Sequence, residues 1–122
     1  MKKTNKQRGR ASKSKGKRGE LMLAKELNRL FDVQTRRGQQ FSGEQGAADV
    51  VGIPGLHLES KNREKLNLHE ALEKAQAESL KGEYPKTPII FHKKNQKPWT
   101  VTCYLEALPE IVDILKKYPK RD

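Results

Sequence analysis

The sequence predicts an α/β domain, a mixed central sheet flanked by helices, in the order helix, three strands, helix, two strands, helix. Three observations predict it. Apolar residues recur at the helical period in three separate segments, and between them short runs alternate at period two. Turn and cap chemistry marks the boundaries, with Pro54-Gly55 between two strand patterns and Asn67-x-x-Glu70 ahead of a helical one. No internal repeat is present.

The first helix is read from GELMLAKELNRLF, where Leu23, Leu27 and Phe31 fall at i, i+4 and i+8 with Leu30 beside them. VQTRRGQQ (33–40) reads as a polar edge strand, and FSGEQGA as a Gly-rich loop. ADVVGI and LHLESKN follow as two strands joined by the Pro-Gly turn, an antiparallel hairpin. The capping box at Asn67 opens a helix whose buried face is expected to hold Leu68, Ala71, Leu72, Ala75 and Ser79, ending near Gly82. TPIIFHK is a strand, KNQKP a basic turn and WTVTCY a further strand. Leu108, Ile111, Val112 and Leu115 make the stripe of a last helix, with Pro109 in its first turn.

At 122 residues, 34% hydrophobic and 6% aromatic, the chain suits one small domain with a lean core. Its apolar runs are far short of the roughly 20 residues that cross a bilayer, and no secretory signal is visible, so neither a membrane nor an exported setting is expected. A single cysteine, Cys103, allows no internal disulfide and, with three scattered histidines, no zinc cluster; a reducing, cytoplasmic location follows. The charge of +11 is unevenly spread: residues 1–18 hold nine Lys/Arg and no acid. Residues 1–15 are therefore read as a disordered basic tail ahead of one domain over 16–122. Such a tail, including Lys13, Lys15, Lys17 and Arg18, neutralises nucleic-acid phosphates, or else serves solubility or localisation.

The strand patterns carry the chemistry. On LHLESKN, Leu56, Leu58 and Ser60 share one face, and His57, Glu59 and Lys61 share the other. The tight turn brings Asp49 close to Glu59. Two neighbouring carboxylates repel unless a cation lies between them, and Mg²⁺ suits a pair of carboxylates completed by water and phosphate oxygens. Lys61 would then stand beside the ion's water. Glu20 heads the buried stripe of the first helix, either as an acid favoured by the helix N-terminus or as one pointing into a site. Taken singly, Glu59 and Lys61 are equally readable as a solvated strand face, and Asp49 as a charge at a strand end.

Glu20 on a first helix, Asp49 at a strand, Glu59-Ser60-Lys61 on the next strand and a helix after it together resemble the PD-(D/E)XK nuclease superfamily. The stretch RRGQQFSGEQGAADVVG…LHLESKN is most similar to Holliday junction resolvases of archaeal and phage type, over roughly residues 16–103. Ala48 stands where the superfamily name has proline. The resemblance implies a restriction-endonuclease-like αβββαβ core with an extra C-terminal helix. It implies a Mg²⁺-dependent endodeoxyribonuclease, Mn²⁺ substituting, that cuts branched DNA in recombination and repair as a homodimer, in a prokaryotic or phage setting. Asp49, Glu59 and the Ser60 carbonyl would hold the metal. Glu20 would orient waters or help hold a second ion, and Lys61 would position or deprotonate the attacking water. Arg36, Arg37 and Ser42 precede the site and are expected to grip the DNA backbone, as are Lys93, Lys94 and Lys97 in the basic turn. Gln76 flanks the second helix's buried side, either as a site contact, as in several members of the superfamily, or as a helix-edge glutamine. A nicking or flap nuclease of the same superfamily is the second reading, and a non-catalytic basic nucleic-acid-binding protein the third.

Overall fold

The computed structural model describes residues 5–38 and 48–121. The Gly-rich loop with Ser42, and the end of the edge-strand pattern at 39–40, lie outside the described residues. The elements are α1 (Asn5–Leu30), β1 (Arg36–Arg37), β2 (Val50–Val51), β3 (Leu56–Asn62), α2 (Leu68–Ser79), β4 (Thr87–Lys93), β5 (Thr100–Thr102), a 3₁₀ turn (Leu105–Ala107) and α3 (Leu108–Leu115). They form an α/β domain with a five-stranded sheet in the order β1-β2-β3-β4-β5. β3 and β4 run parallel, connected through α2, and every other neighbouring pair is antiparallel. Among the described residues no helix is long and apolar enough to cross a membrane.

Two cores lie on the two faces of this sheet. Leu23, Leu27, Val50, Leu58, Phe91 and Ile111 join α1 and α3 to one face. Ala71, Leu72 and Ala75 of α2 pack on Ile90 on the other. The period-two reading of β3 holds: Leu56 and Leu58 belong to the first core, while the intervening His57 and Glu59 face α2's side, in register with Pro88 and Ile90. The hairpin forms as read, closed by the Leu56 N–H donating to the Ile53 carbonyl at 3.2 Å. Gly55 at φ 91° takes the left-handed position that such a turn requires.

Several boundaries differ from the sequence reading. The segment read as a disordered tail is helical from Asn5, continuous with the rest of α1. Lys, Arg, Gln and Ala are good helix formers, and a helix already anchored by Leu23 and Leu27 propagates outward without a new nucleus. Leu30, Leu68, Leu108 and Val112 are exposed rather than buried. On α3 the inward pair is Ile111 and Ile114, one step round from the stripe read from sequence. Only Val50–Val51 and Thr100–Thr102 pair within the longer strand patterns of their regions. At Asn67 half of the capping box is made: its side chain accepts from the Glu70 N–H at 3.1 Å, while the Glu70 carboxylate meets Lys74.

Candidate active site

The site is built where β2, β3 and the middle of α1 meet. Val50 pairs with Leu58 in the antiparallel β2–β3 ladder, so the preceding residue, Asp49, falls opposite Glu59. The Ser60 N–H donates to Asp49 Oδ2 at 2.9 Å and holds the carboxyl against β3. From the other side the Gly38 N–H donates to the Asp49 carbonyl at 2.8 Å. The strand that carries Gly38 is positioned in turn by Thr35, whose hydroxyl donates to the Ala24 carbonyl (3.0 Å) and whose N–H donates to Asn28 Oδ1 (2.7 Å).

Asp49 and Glu59 are electrostatically opposed. Burial, then the adjacent Glu59 and the more distant charge of Glu20, push the Asp49 carboxyl up to about 8. Burial would raise Glu59 as well, but hydrogen bonds from His57 and Asp49 and the charges of His57 and Lys61 outweigh it, and Glu59 lies below its ordinary value. Asp49 therefore keeps a proton that it shares with an ionised Glu59. His57, fully buried, donates from Nε2 to Glu59 Oε1 at 2.6 Å. The sequence puts His57 on the face of Glu59 and Lys61; the structure buries it behind Glu59, as a support.

Glu20 arrives from α1, on the far side of the sheet. Its approach depends on Gly19: a Cβ there would lie 2.6 Å from Asn62 Cβ and 3.3 Å from Ser60 Oγ. The Glu20 carboxylate accepts from Arg37 Nε at 2.6 Å. Its charge reaches Asp49, but among the described residues no three His, Cys, Asp or Glu side chains gather closely enough to hold an ion between them. The structure thus holds Asp49 and Glu59 as a close carboxyl pair, with Glu20 near enough for its charge to act on Asp49. Ser60 turns its hydroxyl toward Gly19, buried and unpartnered among the described residues, so only its backbone faces the pair.

The remaining residues sort by position. Lys13 and Lys17 line a groove with Glu20 and Arg37, so α1's basic half borders the site. Lys15 is half-buried, its carbonyl accepting from Asn62 Nδ2 at 3.1 Å, and Arg18 and Arg36 are exposed. Arg37 is committed through Nε to Glu20. Lys61 and Lys74 line a cavity of about 300 Å³ together with Glu59 on α2's side of the sheet. Gln76 does not line that cavity, where Lys74, Ala75 and Glu78 represent α2. Lys94 and Lys97 line a separate cavity beyond the C-terminal end of β3, and Lys93 Nζ donates to the Lys94 carbonyl at 2.8 Å. Sequence reasoning missed Lys74, which sits one helical turn before Glu78 on α2; its spacing from Ala71 and Glu78 was the available signal. No family model matches the chain, and neither does any curated protein or solved structure.

Proposed function

We propose that the chain is a Mg²⁺-dependent endodeoxyribonuclease. The observation that carries this reading is the pair of half-buried carboxyls, Asp49 and Glu59, held side by side on neighbouring strands with Lys61 next along β3. A protein gains no stability from burying two repelling acids, and such a pair fits a site that takes a cation. The donors are hard oxygens, as magnesium requires, and two carboxylates leave its other positions to water and a phosphate. Such an ion would be held by Asp49 and Glu59, with the Ser60 carbonyl as a further oxygen.

When bound, magnesium supplies charge neutralisation at the phosphate and lowers the pKa of the attacking water. The protein's own groups do the rest. The Ser60 N–H and His57 fix the orientations of the two carboxyls, so little reorganisation is needed as charge develops. Lys61 lines the cavity that Glu59 opens on, and its ammonium donates to a phosphate oxygen and orients the water. Arg37, whose Nε donates to Glu20, has further guanidinium donors for the nucleic-acid backbone.

The helix, three antiparallel strands, crossover helix and parallel strand of this sheet are the order expected of a restriction-endonuclease-like core. On that basis the substrate we propose is branched DNA, cut symmetrically by a homodimer. The test is cleavage of a four-way junction, a flap and a linear duplex, with Mg²⁺ and with chelator, by the native chain and by Glu59→Gln. Metal-dependent cutting lost in Glu59→Gln supports the reading, and paired incisions on the junction alone support its branched-DNA form. Cutting by Glu59→Gln at the native rate ends it, and DNA binding without any cutting leaves a binding protein.

A further inference from the structure

We propose that a second phosphate-binding surface runs from the carboxyl pair along the C-terminal end of β3, centred on Arg63 and Lys65, and takes the backbone of a duplex DNA arm. The inference rests on the nuclease reading for its direction, since it places the arm leading away from the cut. Its cations are not those of α1.

The cavities adjoin one another. The one that Glu59 opens on shares Lys61, Ala71 and Lys74 with a neighbouring cavity of about 510 Å³, which adds Arg63 and Lys65. That cavity shares Lys65 and Leu66 with a third, which adds Lys94 and Lys97. Lys61, on α2's side of β3, is followed past the strand end by Arg63 and Lys65, which line the same cavity.

These cations form no close ion pair, although the charge of Lys61 acts on Glu59. Among the described residues no carboxylate lies within salt-bridge distance of Lys61, Arg63, Lys65, Lys94 or Lys97. The acids nearby are engaged elsewhere. Glu70 holds Lys74 at 3.1 Å, and Glu64 accepts from the Asn95 N–H at 2.7 Å.

The segment bearing them is also built to stay in place. The Arg63 N–H donates to the Lys93 carbonyl at 3.0 Å, extending the β3–β4 ladder by one bond. The Arg63 carbonyl accepts from Nε2 of the buried His92 at 2.8 Å. With Glu64 fastened to Asn95, three bonds tie this short connection to β4 and its turn. A like-charged segment held this firmly has lost its freedom to spread its charges apart, which leaves a site ready for an anion.

The chemistry of the walls selects the form of nucleic acid. Lysines, an arginine, four glutamates, His92 and small polar and aliphatic groups line these cavities, with no Phe, Tyr or Trp among them. Unpaired bases gain most of their sequence-independent affinity by stacking on aromatic rings, which this surface does not offer. Backbone contact to a duplex needs only the cations.

The test is binding of a fluorescent DNA duplex, and of one of its single strands, to the full chain without divalent metal across a salt series. It compares the native chain, Arg63→Gln/Lys65→Gln and Lys13→Gln/Lys17→Gln. We expect the Arg63/Lys65 variant to weaken duplex binding and to lower the slope of log K against log salt by about 1.8, at about 0.9 per phosphate contact. Arg63 and Lys65 are exposed, so the variant folds; circular dichroism checks this. An unchanged slope and affinity in that variant, with a reduced slope in the α1 variant, overturns the proposal. A loss confined to the single strand overturns the assignment to a duplex. Because no metal or cleavage enters, a protein that never cuts but shows the Arg63/Lys65 effect keeps this surface and loses only the nuclease reading.

Discussion

Replacing Asp49 by Asn tests the electrostatics of the site without needing a substrate. Asparagine keeps an oxygen to accept from the Ser60 N–H and places an amide donor toward Glu59, so it imitates the protonated carboxyl that the fold favours. With a folded-state pKa of about 8 against an ordinary 3.8, Asp49 binds its proton more tightly in the folded than in the unfolded chain. The stability associated with that proton is fully present below about pH 3.8 and is lost as pH rises through about 8. Glu59 works in the opposite sense, but its lowered pKa confines its effect to pH below about 4.5. Between pH 5 and 7 the native chain should therefore lose up to about 1.4 kcal/mol per pH unit from Asp49, or roughly 3 kcal/mol in all. Asp49→Asn should lose none of this. The assay is urea denaturation at pH 5, 6, 7 and 8 in chelator, with both proteins sharing whatever their three histidines contribute. At pH 8 the variant should be the more stable. Added Mg²⁺ should raise the native chain by about 3 kcal/mol at a hundredfold its dissociation constant and leave the variant unmoved. Parallel pH profiles for the two proteins would refute the reasoning, because they would mean that Asp49 ionises as freely in the fold as outside it.

Three further outcomes follow from the same contacts. Gly19→Ala sets a methyl group 2.6 Å from Asn62 Cβ, a contact with no flexible end to yield, so thermal melting should show a net loss of about 1–2 kcal/mol even after the gain in helix propensity. Leu58→Ala, at the centre of the α1–α3 face and 1% exposed, should cost about 3–4 kcal/mol by denaturant titration. Deleting residues 1–15, which removes seven of the 26 Lys/Arg without touching either core, should leave the unfolding midpoint within about 0.5 kcal/mol. The same deletion should flatten the salt dependence of DNA binding, and an unchanged slope would assign those residues to solubility.

Much of this protein is legible along the chain because its signals are local. Strands Leu56–Asn62 and Thr87–Lys93 and helix Leu68–Ser79 fall where alternation, turn chemistry and the Asn67 cap put them, since each depends on neighbours within a few residues. The closeness of Asp49 and Glu59 was legible for the same reason: a tight turn joins their strands, and the register that pairs Val50 with Leu58 buries both together. Tertiary structure decided the rest. That Glu20 is drawn to Arg37 and brought within electrostatic range of Asp49 depends on how closely α1 crosses β3 at Gly19, a contact between segments more than 40 residues apart. That α3 buries Ile114 in place of Val112 depends on where the hairpin turn at Gly55 lies against it. Burial of His57 behind Glu59 depends on α2 and β4 closing over that face of the sheet. Local pattern shows which residues share a face, but the distance between faces is set by packing, and this site's charges respond to that distance.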